Sequence, residues 1–334
     1  MRLVQIRHPQ KGRRVAVVEE PLLILVDSLF SMYEWATHAI SCGKRLTSLI
    51  EEAKSFETIL YDEVYYGLSD WTLLPAFDHP FNPHACLVSG TGLTHKMSAE
   101  SRQHMHESEQ TQKLTDSMRM YLWGQQGGRP KPGEIGTQPE WFYKGNGSVL
   151  KAHGESLCVP NFGEDGGEES ELLAVYVNDE EGNPWRVGFA TANEFSDHVM
   201  EQRNYLYLAH SKIRDCSMGP ELVIHPDFQE IIGKVRIIRK KEILWEKEII
   251  TGEKQMVHSL ANLEYHHFKY PNHRMTGQVH LHFLGAAALS FGENIKLEEG
   301  DIMEINWSGM GRALSNPLAI SNEKETMQAI KSLS

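Results

Sequence analysis

The stretch Glu168-Glu169-Ser170-Glu171-Leu172-Leu173-Ala174-Val175-Tyr176-Val177 joins an acidic lead to an apolar run. Side chains alternate faces along a strand, so Glu169 and Glu171 point the same way. Two carboxylates on one face repel each other unless water or a cation separates them. A hard divalent cation takes oxygen ligands, and a Glu-x-Glu strand edge supplies two. On spacing alone, a hydrated acidic turn after Gly166-Gly167 is the commoner reading.

Outward from this stretch the pattern is mostly strands: Trp185 to Thr191, Glu221 to His225, Val235 to Ile238, Ile243 to Ile250, Val279 to Phe283 and Ile302 to Trp307. Helices are expected from Glu194 to about Tyr207 and from Lys254 to about Lys269. Upstream, Cys86-Leu87-Val88 reads as a short buried strand entering Ser89-Gly90-Thr91-Gly92, where glycine permits close approach to a ligand. Ser98 to Met120 is polar and helix-compatible, a candidate cover, and Gly124 to Gly136 is a loop. Residues 1–83 read as a small N-terminal α/β unit: strands Leu3 to Ile6 and Arg14 to Val18, a helical pattern from Ser28 to Lys54, then a Pro-rich break. Residues 84–334 form the larger domain. The class is a β-rich α+β protein with a mixed sheet system.

Composition narrows the function. The 334 residues carry 33 basic and 45 acidic side chains, a formal charge of −12. That charge disfavours nucleic-acid binding. The basic run Arg236 to Lys241 sits in a strand pattern and reads as a solvated face. The most apolar segment, Pro21 to Met32, is interrupted by Asp27 and is too short to span a bilayer. Cys42, Cys86, Cys158 and Cys216 lie far apart with no CxxC pair, the usage of a reducing cytoplasm.

Two further motifs follow in order: Asn193-Glu194-Phe195-Ser196-Asp197-His198, then Ser211-Lys212 ahead of Gly219-Pro220. With the Glu-x-Glu strand, Trp141-Phe142-Tyr143-Lys144-Gly145, Leu297-Glu298-Glu299-Gly300-Asp301 and Gly309-Met310-Gly311-Arg312, the chain resembles the fumarylacetoacetate hydrolase superfamily over nearly its whole length. The resemblance implies a fumarylacetoacetate hydrolase-like roll, a homodimer, and a divalent ion (Mg²⁺, or Mn²⁺ or Ca²⁺) held by Glu169, Glu171 and Glu194, with Lys212 as the family lysine. Glu194 stands where the family usually has Asp, and His198 where it has Arg. Ser98 occupies the position of the hydrolytic histidine. Together with Gly90-Thr91-Gly92-Leu93-Thr94-His95 and His273-Arg274-Met275, these departures resemble the sugar-acid branch, which dehydrates 2-keto-3-deoxy pentonates.

A small 2-keto acid would chelate such an ion through its carboxylate and keto oxygens, acidifying C3. Lys212 would stabilise the enolate and His95 is the first candidate for proton transfer. Ser98 marks the altered catalytic position, and Lys144, Thr94, His198 and Arg274 are candidate substrate contacts. Two other readings stay open. A carbon–carbon hydrolase of 2,4-diketo acids would use His104-x-x-Glu107, and a non-catalytic ligand-binding protein would keep the scaffold alone. His280 and His282 share a strand face, as a metal pair or as sheet residues. Tyr265-His266-His267 reads as a surface feature at a helix end.

Overall fold

A computed structural model of the chain describes residues 1–106 and 114–333. It is a β-rich α+β protein built on a twelve-stranded mixed sheet and a second sheet of five strands. The large sheet runs Lys54–Leu60, Leu22–Val26, Gly12–Glu19, Arg2–His8, Cys216–Val223, Pro184–Asn193, Ser170–Asn178, Val279–Phe283, Cys86–Gly90 and Phe142–Asn146, with two short strands pairing off this path. Neighbours along it are antiparallel except Val279–Phe283 with Cys86–Gly90, which run parallel. The five-stranded sheet runs Glu242–Thr251, Ile231–Arg239, Ile302–Trp307, Leu314–Ile320 and Leu157–Val159.

The Ser170–Asn178 strand is buried along its whole length, which is why its sequence is a nearly continuous apolar run. Leu173, Val175 and Val177 enter one core with Leu281 and Phe283. Leu172, Ala174 and Tyr176 enter the other, against the five-stranded sheet. By the same alternation Glu171 points toward the first core, while His280 and His282, paired with Tyr176 and Ala174, point toward the second. Each such apolar side chain contributes about 1.5–3 kcal/mol on burial, so this strand pair anchors both layers.

Residues 1–83 do not stand apart in the sheet. Arg2 and Leu3 pair with Val223 and Leu222, and Leu3, Val15, Val17 and Trp35 share one core with Leu173 and Val175. Several expected elements differ in extent. The helical pattern from Ser28 to Lys54 divides into Met32–Cys42 and Leu46–Glu52. Gly43 at φ 65° ends the first of them, a left-handed conformation that glycine adopts without a Cβ clash. The cover segment contains the helices Lys96–His106 and Asp116–Gly127, the second extending into the expected loop. Glu194 does not open a helix: it follows the strand ending at Asn193, and the helix His198–Arg203 begins only after Asp197, whose side chain caps it. Leu260–Phe268 is shorter than expected because Ser259 supplies its N-cap.

Candidate metal centre and active site

Three buried carboxylates, from Glu169, Glu171 and Glu194, each offer an oxygen within 4.8 Å of the others, the one such cluster of potential metal ligands among the described residues. Local pairing brings them together. The backbone N–H of Glu194 donates to the Glu169 carbonyl at 3.0 Å, and Ser170 and Glu171 pair with Asn193 and Ala192. The end of one strand therefore lies against the start of the other.

Two buried lysines approach the cluster. Lys212 Nζ donates to Glu169, to Glu194 Oε2 at 2.6 Å and to Ser196 Oγ at 3.0 Å, and sits 5.1 Å from the centre of the Phe142 ring. Lys144 Nζ lies 2.9 Å from Glu194 Oε1 and also donates to the Phe195 carbonyl. Burial acts to raise the Glu169 carboxyl, but Lys212, then His198 and Arg102, hold it well below the usual carboxylate range. Glu194 moves up through burial and the Glu169 charge, against the pull of both lysines. Burial acts to lower the Lys212 ammonium, and Glu169 and Glu194 more than restore it.

Glu171 differs from its partners. It accepts from the Gly285 N–H at 2.7 Å, and burial together with the charges of Glu194 and Glu169 pushes its carboxyl well above the usual range. A buried carboxylate beside two others, with no ammonium in contact among the described residues, fits the oxygen coordination of a hard divalent cation. The residues present therefore suit such an ion.

The remaining candidates divide. His198 is buried, with Nε2 3.3 Å from Glu169 Oε1, and its ring packs 5.2 Å from Phe291. Burial acts to lower its pKa, and Glu169 raises it above the ordinary value. Thr94 packs against Gly285, so its hydroxyl stands next to the donor that holds Glu171. Gly285 has φ +105°, and a Cβ there would lie 1.8 Å from Thr94 Oγ1. His95 is buried and pinned at both nitrogens, 2.8 Å from Thr94 Oγ1 and 3.0 Å from Thr251 Oγ1. Burial pushes it down to about 4. Since the Thr94 hydroxyl donates to the Leu284 carbonyl at 2.7 Å, the network assigns the proton to Nδ1 and leaves Nε2 accepting from Thr251. In this arrangement both nitrogens of the residue first considered for proton transfer are engaged by threonine hydroxyls. Ser98 is turned back on its own helix, donating to the His95 carbonyl at 2.9 Å.

Arg274 is not in the site. It is exposed and its backbone lies against Gly182, in the turn beyond Asn178. The run from Glu171 to Asn178 separates that end of the strand from the carboxylates by roughly 23 Å, at about 3.3 Å per residue. The side chain of His104 and all of Glu107 lie outside the described residues.

Sequence reasoning missed three features. Arg102, on the Lys96–His106 helix, is buried between Glu140 at 2.9 Å and Glu201 at 2.6 Å. Gly92 lies against the Glu140 carboxylate so closely that a Cβ there would fall 1.8 Å from it. His266 and His267 are buried, not surface residues. His267 Nε2 meets His280 Nδ1 at 2.9 Å, and the His273 and His282 rings lie 4.7 and 4.5 Å from the His267 ring. His282 bridges Ser89 at 3.0 Å and Thr91 at 2.8 Å, so the strand histidines belong to an imidazole cluster. The glycines of the 90–92 turn were the available signal for the Glu140 contact, while nothing local marked Arg102.

No family model matches the chain. It is 28% identical over 184 residues to a probable 2-keto-3-deoxyxylonate dehydratase of Haloferax volcanii, an alignment covering 54% of this chain. The chain thus spans 60% of the length of that curated relative. A 2-keto-3-deoxyarabinonate dehydratase in a hexagonal crystal form superposes with TM-score 0.71 at 19% identity, over 97% of this chain and 100% of that one. A 2-keto-3-deoxy-D-arabinonate dehydratase complexed with magnesium and 2,5-dioxopentanoate gives 0.68 at 18% identity, with the same coverage. A 5-carboxymethyl-2-hydroxymuconate delta-isomerase from Mycobacterium smegmatis gives 0.58 at 13%, over 96% and 100%. The chain has the fold of these enzymes, the fold that the ordered motifs resemble.

Proposed function

We propose that this chain is a divalent-metal-dependent dehydratase of a 2-keto-3-deoxy sugar acid, with Glu169, Glu171 and Glu194 as the ligands of a magnesium ion. The observation that carries the reading is the buried carboxylate triad, in which Glu171 has no ion pair at salt-bridge distance among the described residues. The dehydratase complexed with magnesium and 2,5-dioxopentanoate, which shares this fold, supports it, as does the xylonate-type relative. Manganese and calcium suit the same oxygen donors.

A bound magnesium ion would supply a Lewis acid for the C2 carbonyl and the carboxylate of the keto acid. Lys212, held protonated by its two glutamates, places positive charge where the C2 oxygen becomes an enolate as C3 loses a proton. Lys144 neutralises Glu194 and fixes its carboxylate. His198 approaches Glu169 at the same oxygen as Lys212 and adds to its stabilisation. The rings of Phe142 and Phe291 pack against Lys212 and His198, and this apolar cover strengthens the pairings. For a pentonate, loss of a C3 proton and the C4 hydroxyl releases one water. Shift of the resulting double bond to C4–C5 and ketonisation at C5 then give 2,5-dioxopentanoate.

Purified protein with magnesium should convert a 2-keto-3-deoxypentonate of one configuration into 2,5-dioxopentanoate, and chelation by EDTA should stop it. Absence of product from both configurations would sink the proposal. The chain's four free thiols suit a reducing cytoplasm. No helix among the described residues is long and apolar enough to cross a membrane. Self-association as a homodimer is part of the proposal, supported by the exposed cross-strand neighbours Ile232 and Ile250.

A further inference from the structure

A cavity of about 570 Å³ opens on the imidazole face of the large sheet, between the Leu260–Phe268 helix and the chain from Gln138 to Trp141. Thr91 and Glu140 are among the residues that line it. Its volume falls in the range of small-molecule sites. Among the described residues, the catalytic reading uses none of its aromatic lining.

Trp141 is built as a platform. Its indole N–H is 3.3 Å from His267 Nδ1, and the ring stacks on His273 at 5.8 Å between centroids. The histidines behind it are packed together and buried and back the indole on one face, while 41% of Trp141 remains open. Tyr270, also 41% open, adds a second aromatic wall. Around these faces stand neutral hydrogen-bonding groups: the amides of Gln138 and Asn272, and the imidazole of His266, which burial keeps below its ordinary pKa.

The charges at the cavity are already held, Glu140 by an ionic partner and Lys269 by neutral groups. Glu140 is held by Arg102 at 2.9 Å through both oxygens. At the rim, Lys269 Nζ donates to Gln138 Oε1 at 2.8 Å, lies 3.1 Å from His266 Nδ1, and covers the Tyr270 ring at 5.1 Å. A fixed aromatic face edged by amides suits a molecule with apolar C–H faces and a hydroxylated rim. An alkyl chain would cover the Asn272 amide without replacing its hydrogen bonds to water, and a dianion would meet one ammonium, Lys269, already held by Gln138 and His266.

We propose that this cavity is a binding site for an uncharged polyhydroxylated ligand, a free sugar or polyol, stacked on Trp141. The site is separate from the metal centre and shares with it only the Thr91–Thr94 loop and the Glu140–Arg102 pair. Its ligand chemistry does not depend on the dehydratase reading.

The test is isothermal titration of the full-length, magnesium-loaded protein with a free aldopentose, with the matching aldonate as the charged comparison. Wild type should bind the neutral sugar saturably, with Trp141→Ala and Tyr270→Ala each weakening it at least ten-fold at an unchanged melting temperature. Tyr270→Ala alone decides if Trp141→Ala melts early. No saturable heat from the sugar, unchanged affinity in both variants, or tighter binding of the aldonate would overturn the proposal. Because the readout is binding of a molecule with no 2-keto group, absence of dehydratase turnover leaves this result standing, and the converse holds too.

Discussion

At the start of the Ser170–Asn178 strand the protein buries carboxylates; on the neighbouring Val279–Phe283 strand, and on the helix packed over it, it buries imidazoles. The first region keeps its charge. Glu169 and Glu194 are ionically paired with Lys212, Lys144 and His198, while Glu171 is left over. The second region gives its charge up. Burial, with the other histidines as secondary causes, pushes His280 and His282 down to about 3 and drives His267 further still. Charges kept out of water are costly unless they are used or compensated. The region that retains them is therefore where chemistry is expected, and the neutral one is suited to support and recognition.

The sharpest way to break this contrast is Lys212→Met. If Lys212 supplies transition-state charge, kcat should fall by about 10²–10³-fold, as for loss of a preorganised donor, while the protein still binds magnesium by calorimetry. Turnover within three-fold of wild type would remove Lys212 from the mechanism. Next in size is Arg102→Met, which strands Glu140 and Glu201 in a buried setting. Stability should drop by about 3–5 kcal/mol in urea unfolding, the range for removing one partner of a buried pair. A loss below about 1 kcal/mol, as for exposed pairs, would show that water reaches the two carboxylates.

What the sequence made legible follows the same divide. Glu169 and Glu171 stood out because two acids at strand spacing enter an apolar run, and Glu194 and Lys212 because their motifs follow in a recognisable order. Local pattern could not show that Gly285 donates a backbone N–H to Glu171, or that Arg102 reaches across to Glu140 and Glu201. Those contacts span 38 to 114 residues of chain. Arg274 was misplaced because neighbouring sequence says nothing about which end of a strand a loop returns to. His266 and His267 were taken for surface groups because helical period does not reveal what packs against a helix.

The imidazole region makes a weaker but cleaner pH prediction. His280 and His282 bind protons in the unfolded chain near pH 6.5 but in the folded protein only near 3. Between those values the unfolded state holds more protons, so folding stability is full above about pH 6.5 and falls as acid is added. Each such histidine contributes a slope of about 1.4 kcal/mol per pH unit. Urea unfolding at successive pH values should show wild type losing stability more steeply across this window than His282→Gln. Equal slopes would mean that water reaches His282 when it is protonated.

The smallest expected effect concerns His95, which sequence position puts with the catalytic groups and hydrogen bonding puts with the structural ones. Its two nitrogens are occupied by Thr94 and Thr251, and it is neutral at pH 7 for the same reason as His282. Thr251→Val removes one hydroxyl and leaves Nε2 a buried acceptor without a donor, a cost of about 1–3 kcal/mol. His95→Gln keeps an amide able to bond with Thr94 and should leave kcat within about three-fold, whereas loss of a general acid or base costs about 10²–10⁴-fold. If His95→Gln instead loses two orders of magnitude while melting normally, the Thr251 contact is a resting arrangement. The imidazole then turns toward the carboxylates during turnover, and the boundary between the two regions runs through this residue.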